Sequence, residues 1–291
     1  MDQGDEGANW QAMTPAEREV AYSPSSCIGG DYSTHLAEYR DRSAVARATV
    51  DRWQEYAYGP ARSNHLDLFL PAGTGEPPPL LVFIHGGYWQ ELSKEDSAFA
   101  APAWVDRGVA FAAIGYTLAP KATLYEIVAE CRKAVGWLHE HADEVGIDRR
   151  RIVVAGSSAG AHLAALVALS ESPASATVLI SGVFDLRPLV GTSIVEALDL
   201  TTADANALSP ALASIHGFPP SLVCWGEVET DEFKEQGRRF AEFLNAAGTT
   251  CTSFEVGARN HFDVVLDLAD PSSKIGRAVA SFLDGSMSGS S

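Results

Sequence analysis

Gly156-Ser157-Ser158-Ala159-Gly160 sets a serine between two glycines, each two residues away, a spacing that makes a nucleophile when the chain bends sharply from strand into helix. Residues 151–155 have strand character, and the apolar stretch from Ala161 reads as a helix. Glycines are required because side chains in so tight a bend would strike neighbouring backbone. The bend exposes the Ser158 hydroxyl at the C-terminal edge of a sheet. Acyl transfer there needs three further parts: donors for the oxyanion, a base for the serine proton, and a carboxylate to orient that base.

The donors are expected in His85-Gly86-Gly87-Tyr88-Trp89-Gln90, directly after the apolar run 80–84, where glycines let main-chain N–H groups approach a substrate. Gly87, helped by Gly86 or Tyr88, is assigned one donor and the N–H of Ala159 the other. His85 precedes this loop and reads as a residue that holds it. Of the later histidines, His162 lies one turn into the nucleophile helix and His216 has no strand before it. His261 follows the strand pattern 251–256 across Gly257-Ala258-Arg259-Asn260 and is the expected base. The acid should lie in the loop after the strand 222–225, where Glu227, Glu229, Asp231 and Glu232 all offer carboxylates. Glu229 is the first choice and Asp231 the alternative. Tyr88 and Trp89 are expected to contact substrate, as a wall for the acyl group or a platform for an aromatic leaving group. His139-Glu140-His141 has i,i+2 spacing, whereas helical zinc pairs need i,i+4. No P-loop or G-x-G-x-x-G occurs, so neither metal nor cofactor is expected.

These residues need strand ends gathered at one edge. Apolar runs at 80–84, 109–114, 152–155, 178–180 and 222–225 read as buried parallel strands, separated by segments long enough for crossover helices. Residues 124–141, for example, put Ile127, Val128, Cys131, Val135 and Leu138 on one face. The expected class is α/β, a doubly wound, mostly parallel sheet. Alternation at 53–58 and 65–70 suggests an edge hairpin, and 71–79 is a Gly/Pro-rich connector. Residues 1–52 are expected to form an N-terminal helical extension opened by Thr14-Pro15-Ala16-Glu17, and 53–284 the catalytic domain. Within it, 181–220 is an insertion that shapes the pocket; the Gly/Ser-rich 285–291 is an expected disordered tail.

With 21 basic against 38 acidic residues, a formal charge of −17 repels phosphate backbones and anionic lipid, so neither nucleic acid nor membrane is an expected partner. No apolar run approaches eighteen residues, and the opening Met1-Asp2-Gln3-Gly4-Asp5-Glu6 leads into no signal-type apolar core. Cys27, Cys131, Cys224 and Cys251 are widely spaced and read as reduced thiols. The expectation is a cytoplasmic enzyme with a small-molecule partner; a homodimer is compatible with the sequence.

Taken together these motifs resemble the kynurenine formamidases, or arylformamidases, of the α/β-hydrolase superfamily. The likeness covers most of the chain: Tyr22-Ser23-Pro24-Ser25, the His85–Gln90 segment, Ala119-Pro120-Lys121, the elbow continuing as Ala161-His162-Leu163-Ala164, Ser181-Gly182-Val183-Phe184-Asp185-Leu186, Glu232-Phe233 and His261-Phe262-Asp263. The resemblance implies an α/β-hydrolase fold with Ser158 as nucleophile, His261 as base, and Gly87 with Ala159 as oxyanion donors. It also implies hydrolysis of N-formyl-L-kynurenine to L-kynurenine and formate, against the alternative of a broader carboxylesterase or amidase. At the acid the family carries Asp where this chain has Glu229, whose extra methylene the loop must absorb; Asp231 therefore stays as the alternative.

Overall fold

An eight-stranded sheet organises the chain in the order β1-β2-β4-β3-β5-β6-β7-β8. The computed structural model describes residues 9–73, 75–169 and 171–284, so the acidic opening at 1–6 and the tail expected at 285–291 lie outside the described residues. The strands are β1 (Trp53–Ala57), β2 (His65–Phe69), β3 (Leu80–Ile84), β4 (Ala110–Ile114), β5 (Ile152–Ser157), β6 (Ala176–Ile180), β7 (Ser221–Val228) and β8 (Cys251–Asn260). The helices are α1 (Pro15–Ala21), α2 (Ser33–Thr49), α3 (Ala101–Val105), α4 (Leu124–Glu140), α5 (Ala142–Val145), α6 (Ala159–Ala168), α7 (Thr202–Ala207), α8 (Asp231–Ala246) and α9 (Lys274–Leu283). Strands β1 and β2 form an antiparallel hairpin at one edge, β2 runs antiparallel to β4, and the remaining neighbours are parallel. The doubly wound, mostly parallel sheet anticipated from the apolar runs is the one observed.

Uninterrupted apolar runs are required because both faces of the sheet are covered. In β3, Leu80, Val82 and Ile84 join a core with α4, α6 and α8, while Leu81 and Phe83 join a second core with α2, α3 and α9. Helix α4 buries the predicted stripe Ile127, Val128, Cys131, Val135 and Leu138 and starts with a Thr123/Glu126 capping box. The same device, Thr14 with Glu17, starts α1. Helix α2 is tied down by Arg47, which pairs with the fully buried Asp67 of β2 at 2.7 Å; Lys94 reaches the same carboxylate at 2.8 Å.

Two strands outrun their sequence pattern. Strand β7 continues beyond 225 to Val228, and Gly257-Ala258-Arg259-Asn260, expected to be a loop, is the last part of β8. These additions are largely solvent-exposed and carry no apolar alternation, so only backbone pairing reveals them. The register slips between Gly226 and Val228, and Val228 pairs with Asn260. A Cβ on Gly226 would lie 2.4 Å from the Arg259 carbonyl oxygen, so glycine lets the two strand ends close up. That closure brings the residues that follow, Glu229 and His261, to one place.

Candidate active site

Ser158 sits at the bend between β5 and α6 with φ 56° and ψ −123°, a left-handed conformation that a residue with a side chain holds only when its surroundings enforce it. Close packing supplies the enforcement: a Cβ on Gly160 would stand 2.1 Å from the Ile84 carbonyl oxygen, so α6 lies hard against the end of β3. The Ser158 N–H donates to Ile180 at 2.8 Å, anchoring the bend to β6. Ala159 is the first residue of α6, and first-turn N–H groups have no intrahelical acceptor. Its amide is therefore available to a developing negative charge, with the helix dipole in support.

His261 and Glu229 meet as the closed strand ends require. Nδ1 of His261 lies 2.9 Å from Glu229 Oε2. A carboxylate only accepts, so Nδ1 carries the proton and Nε2 is left as the free base. The other oxygen, Glu229 Oε1, accepts from the Ser181 hydroxyl at 2.6 Å and from the Gly226 N–H at 2.5 Å. Both side chains are buried, and Phe233 and Phe262 flank the imidazole edge-on at 4.6 and 5.4 Å. Asp231, the alternative acid, is exposed at the start of α8 and does not reach this position. Glu227 instead accepts from the Ala258 N–H at 2.7 Å, and Glu232 receives the Tyr22 hydroxyl at 3.5 Å.

Ser158 and His261 line one cavity of about 300 Å³, together with Gly86, Gly87 and Tyr88. That volume is at the lower end for sites that enclose a small organic ligand. The region 181–220, expected to shape the pocket, contributes Ile194 alone among the described residues. The wall comes instead from the N-terminal segment, through Tyr22, Ser23, Tyr32, Leu36 and Tyr39. It is fastened there: the Tyr88 hydroxyl donates to the Tyr22 carbonyl at 2.5 Å, the Tyr39 hydroxyl donates to the Phe262 carbonyl, and Tyr32 stacks on Phe262 at 4.9 Å.

Trp89 requires a correction. It is fully buried and absent from the cavity wall, meeting His162 edge-on at 5.1 Å. Tyr88 and Trp89 both have positive φ, 46° and 62°, and the chain turns so that Tyr88 reaches the cavity while the larger indole enters the core. Trp89→Ala should therefore lower unfolding stability by about 3–5 kcal/mol in urea titration. An unchanged midpoint with a raised KM would restore Trp89 to the substrate wall.

The remaining histidines do not meet Glu229: His85 lines the same cavity, while His162 and His216 stand outside it. His85 stacks on Tyr116 at 4.1 Å with Nδ1 at 3.0 Å from the Gly86 carbonyl; His162 Nε2 donates to Leu208 at 2.8 Å; His216 is exposed. Burial pushes both His85 and His162 from 6.5 down to about 4. The unfolded chain then binds protons that the folded chain refuses, so this stability is full above pH 6.5 and is lost as pH falls toward 4. Tm should decline across that window, and His162→Phe should flatten the decline; equal slopes in the two proteins would contradict the assignment.

Sequence reasoning overlooked Ser181 as the partner of Glu229, and Tyr32, Tyr39 and Phe262 as cavity residues. None carries a spacing signal. Tyr22-Ser23-Pro24-Ser25 stood out only through the family resemblance, and it does line the site.

A family model described as BD-FAE matches residues 66–185. The chain is 30% identical to a kynurenine formamidase of Danio rerio over 90% of its own length and 94% of that protein. It is 28% identical to the Drosophila melanogaster kynurenine formamidase, over 84% of this chain and 83% of the other. A solved structure from Silicibacter sp. TM1040, described as that of a candidate thioesterase, superposes with a TM-score of 0.80 at 30% identity, covering 91% of this chain and 99% of that one.

Proposed function

Because the chain belongs to the kynurenine formamidase family of α/β-hydrolases, we propose that it hydrolyses an aryl formamide, N-formyl-L-kynurenine being the substrate, to the free aniline and formate. The observation that supports this most is the buried Glu229–His261 contact, which fixes the tautomer of a base sharing its cavity with Ser158. Ser158 Oγ attacks the formyl carbon as His261 Nε2 takes its proton. The oxyanion rests on the N–H groups of Gly87 and Ala159, with Gly86 adjoining. His261 then passes the proton to the departing aniline nitrogen, the C–N bond breaks, and a formyl ester of Ser158 remains. Water deprotonated by His261 attacks that ester, the C–O bond to Ser158 breaks as His261 returns the proton to Ser158 Oγ, and formate leaves. Glu229 stabilises the imidazolium in both halves without itself being protonated.

Tyr88 faces the ligand from the cavity wall. The setting we propose is a reducing cytoplasm and a small-molecule substrate, with neither nucleic acid nor membrane as partner; the charge of −17 and the free cysteines support this. Among the described residues no helix is long and apolar enough to cross a membrane. A second reading, a broader esterase or amidase, is favoured by the solved relative described as a candidate thioesterase. A fluorophosphonate probe should modify the peptide that contains Ser158, and N-formyl-L-kynurenine should slow that labelling at concentrations near its KM. Labelling at another serine, or no protection, would overturn the proposal.

A further inference from the structure

The catalytic cavity continues outward. A second chamber of about 460 Å³ adjoins it, and Tyr32, Leu36, Glu91, Leu92 and Asp96 line both. The two differ in chemistry. The inner chamber sets tyrosines, phenylalanines and the Gly86–Gly87 backbone beside Ser158 and His261, carries the carboxylates Glu91 and Asp96 where it meets the outer one, and has no lysine or arginine among its lining residues. The outer chamber adds Asp31, Ser93 and Arg40.

Most of these charges already have work within the fold. Asp31 accepts from the Ser33 N–H at 2.9 Å, and Asp96 accepts from the Ser93 hydroxyl at 2.8 Å. Two groups keep capacity for a ligand. Arg40 is 72% exposed and contacts Asp96 through Nε alone, at 3.3 Å, which leaves both Nη groups. Glu91 is exposed and takes one hydrogen bond, from the Tyr32 hydroxyl at 3.3 Å. A guanidinium and a carboxylate lining one small chamber complement an ammonium and a carboxylate on one carbon.

We propose that the outer chamber is the subsite for the α-amino-acid end of the substrate, with Glu91 receiving its ammonium and Arg40 its carboxylate. This rests on the aryl-formamide reading above. In an N-formylated aminophenyl amino acid, an aromatic ring and a short ketone arm separate the scissile amide from the charged end. Among the described lining residues, Glu91 stands where the two chambers meet and the guanidinium of Arg40 belongs to the outer one alone, an order that matches this substrate. Tyr32 joins them, stacking on Phe262 beside His261 while its hydroxyl holds Glu91. Arg40 and Glu91 are thus specificity-determining residues rather than catalytic ones.

Formanilide has the same scissile bond without the charged end, so it isolates the subsite. The ratio of kcat/KM for N-formyl-L-kynurenine over formanilide should fall about fivefold in Arg40→Gln and again in Glu91→Gln, through KM rather than kcat. Inhibition of p-nitrophenyl acetate hydrolysis by L-kynurenine should weaken by a similar factor in each variant. Inhibition by kynurenamine, which lacks the carboxylate, should respond to Glu91→Gln and not to Arg40→Gln. Unchanged ratios with unchanged inhibition would overturn the subsite. If the wild type cleaves p-nitrophenyl acetate but neither formamide, the aryl-formamide reading fails, and the inhibition pattern alone then decides for or against the subsite.

Discussion

Ser158→Ala should lower kcat by about 10⁶-fold and leave the protein folded. The size of the loss follows from what the hydroxyl does: without it no acyl-enzyme can form, and the oxyanion donors and binding contacts retain only a small residual rate. The unchanged fold follows from the backbone. Alanine keeps the Cβ that serine already holds at φ 56°, so the strain of the bend and its 2.8 Å anchor to Ile180 are unaltered. Steady-state kinetics with a circular dichroism melt check both halves together. Activity within tenfold of wild type would remove Ser158 from the mechanism, whereas a collapsed melt would leave the kinetic loss uninterpretable as chemistry and would contradict the packing account.

Glu229→Gln should cost about 10⁴-fold in kcat, and Asp231→Ala no more than about twofold. The glutamine variant is the sharper test because it preserves volume inside a buried site. A carboxamide can present its NH₂ to His261 Nδ1, which favours the tautomer with the proton on Nε2, where the base must be free. It also weakens stabilisation of the imidazolium. Asp231 is exposed in the first turn of α8, where removing a carboxylate forfeits only a helix-dipole contribution of about 0.3–1 kcal/mol to stability. The reverse ranking of the two variants would transfer the acid to Asp231 and would require the loop after β7 to rearrange. A double variant with Ser158→Ala should be no slower than Ser158→Ala alone, since residues acting as one unit are not additive.

How far these positions can be read from sequence depends on the kind of constraint each obeys. The elbow is legible because strand, glycine, serine, glycine and helix must occur in that order for the bend to exist. The buried strands are legible because both faces of the sheet exclude water, which leaves apolar runs. His261 is legible as the candidate base through its station after a strand, although the four residues before it are strand and not loop; their pairing is made by backbone groups that any side chain permits. The choice between Glu229 and Asp231 could not be made from spacing alone. It depends on a register slip at Gly226, and the extra methylene of glutamate is accommodated with all three of its hydrogen bonds formed.

The pocket was the least legible part. Nothing in the periodicity of residues 15–50 says that Tyr22, Tyr32 and Tyr39 line the cavity that holds Ser158. Their positions follow from long-range contacts: the Arg47–Asp67 pair that seats α2, and the hydrogen bonds to Tyr22 and Phe262 that seal the wall. Trp89 failed as a substrate contact for a related reason. Its place beside the expected oxyanion donors suggested a substrate contact, but adjacent residues at a turn point in different directions, and the larger ring gains more by burial.

The most direct test of the account is kcat/KM for N-formyl-L-kynurenine measured beside p-nitrophenyl acetate on the same preparation, with Ser158→Ala as the blank. The formamide should win by more than about 10²-fold, because a cavity shaped for it contributes binding energy that a small activated ester cannot use. If the ester is turned over faster and the formamide is barely touched, the Ser158–His261–Glu229 machinery stands but the aryl-formamide function does not.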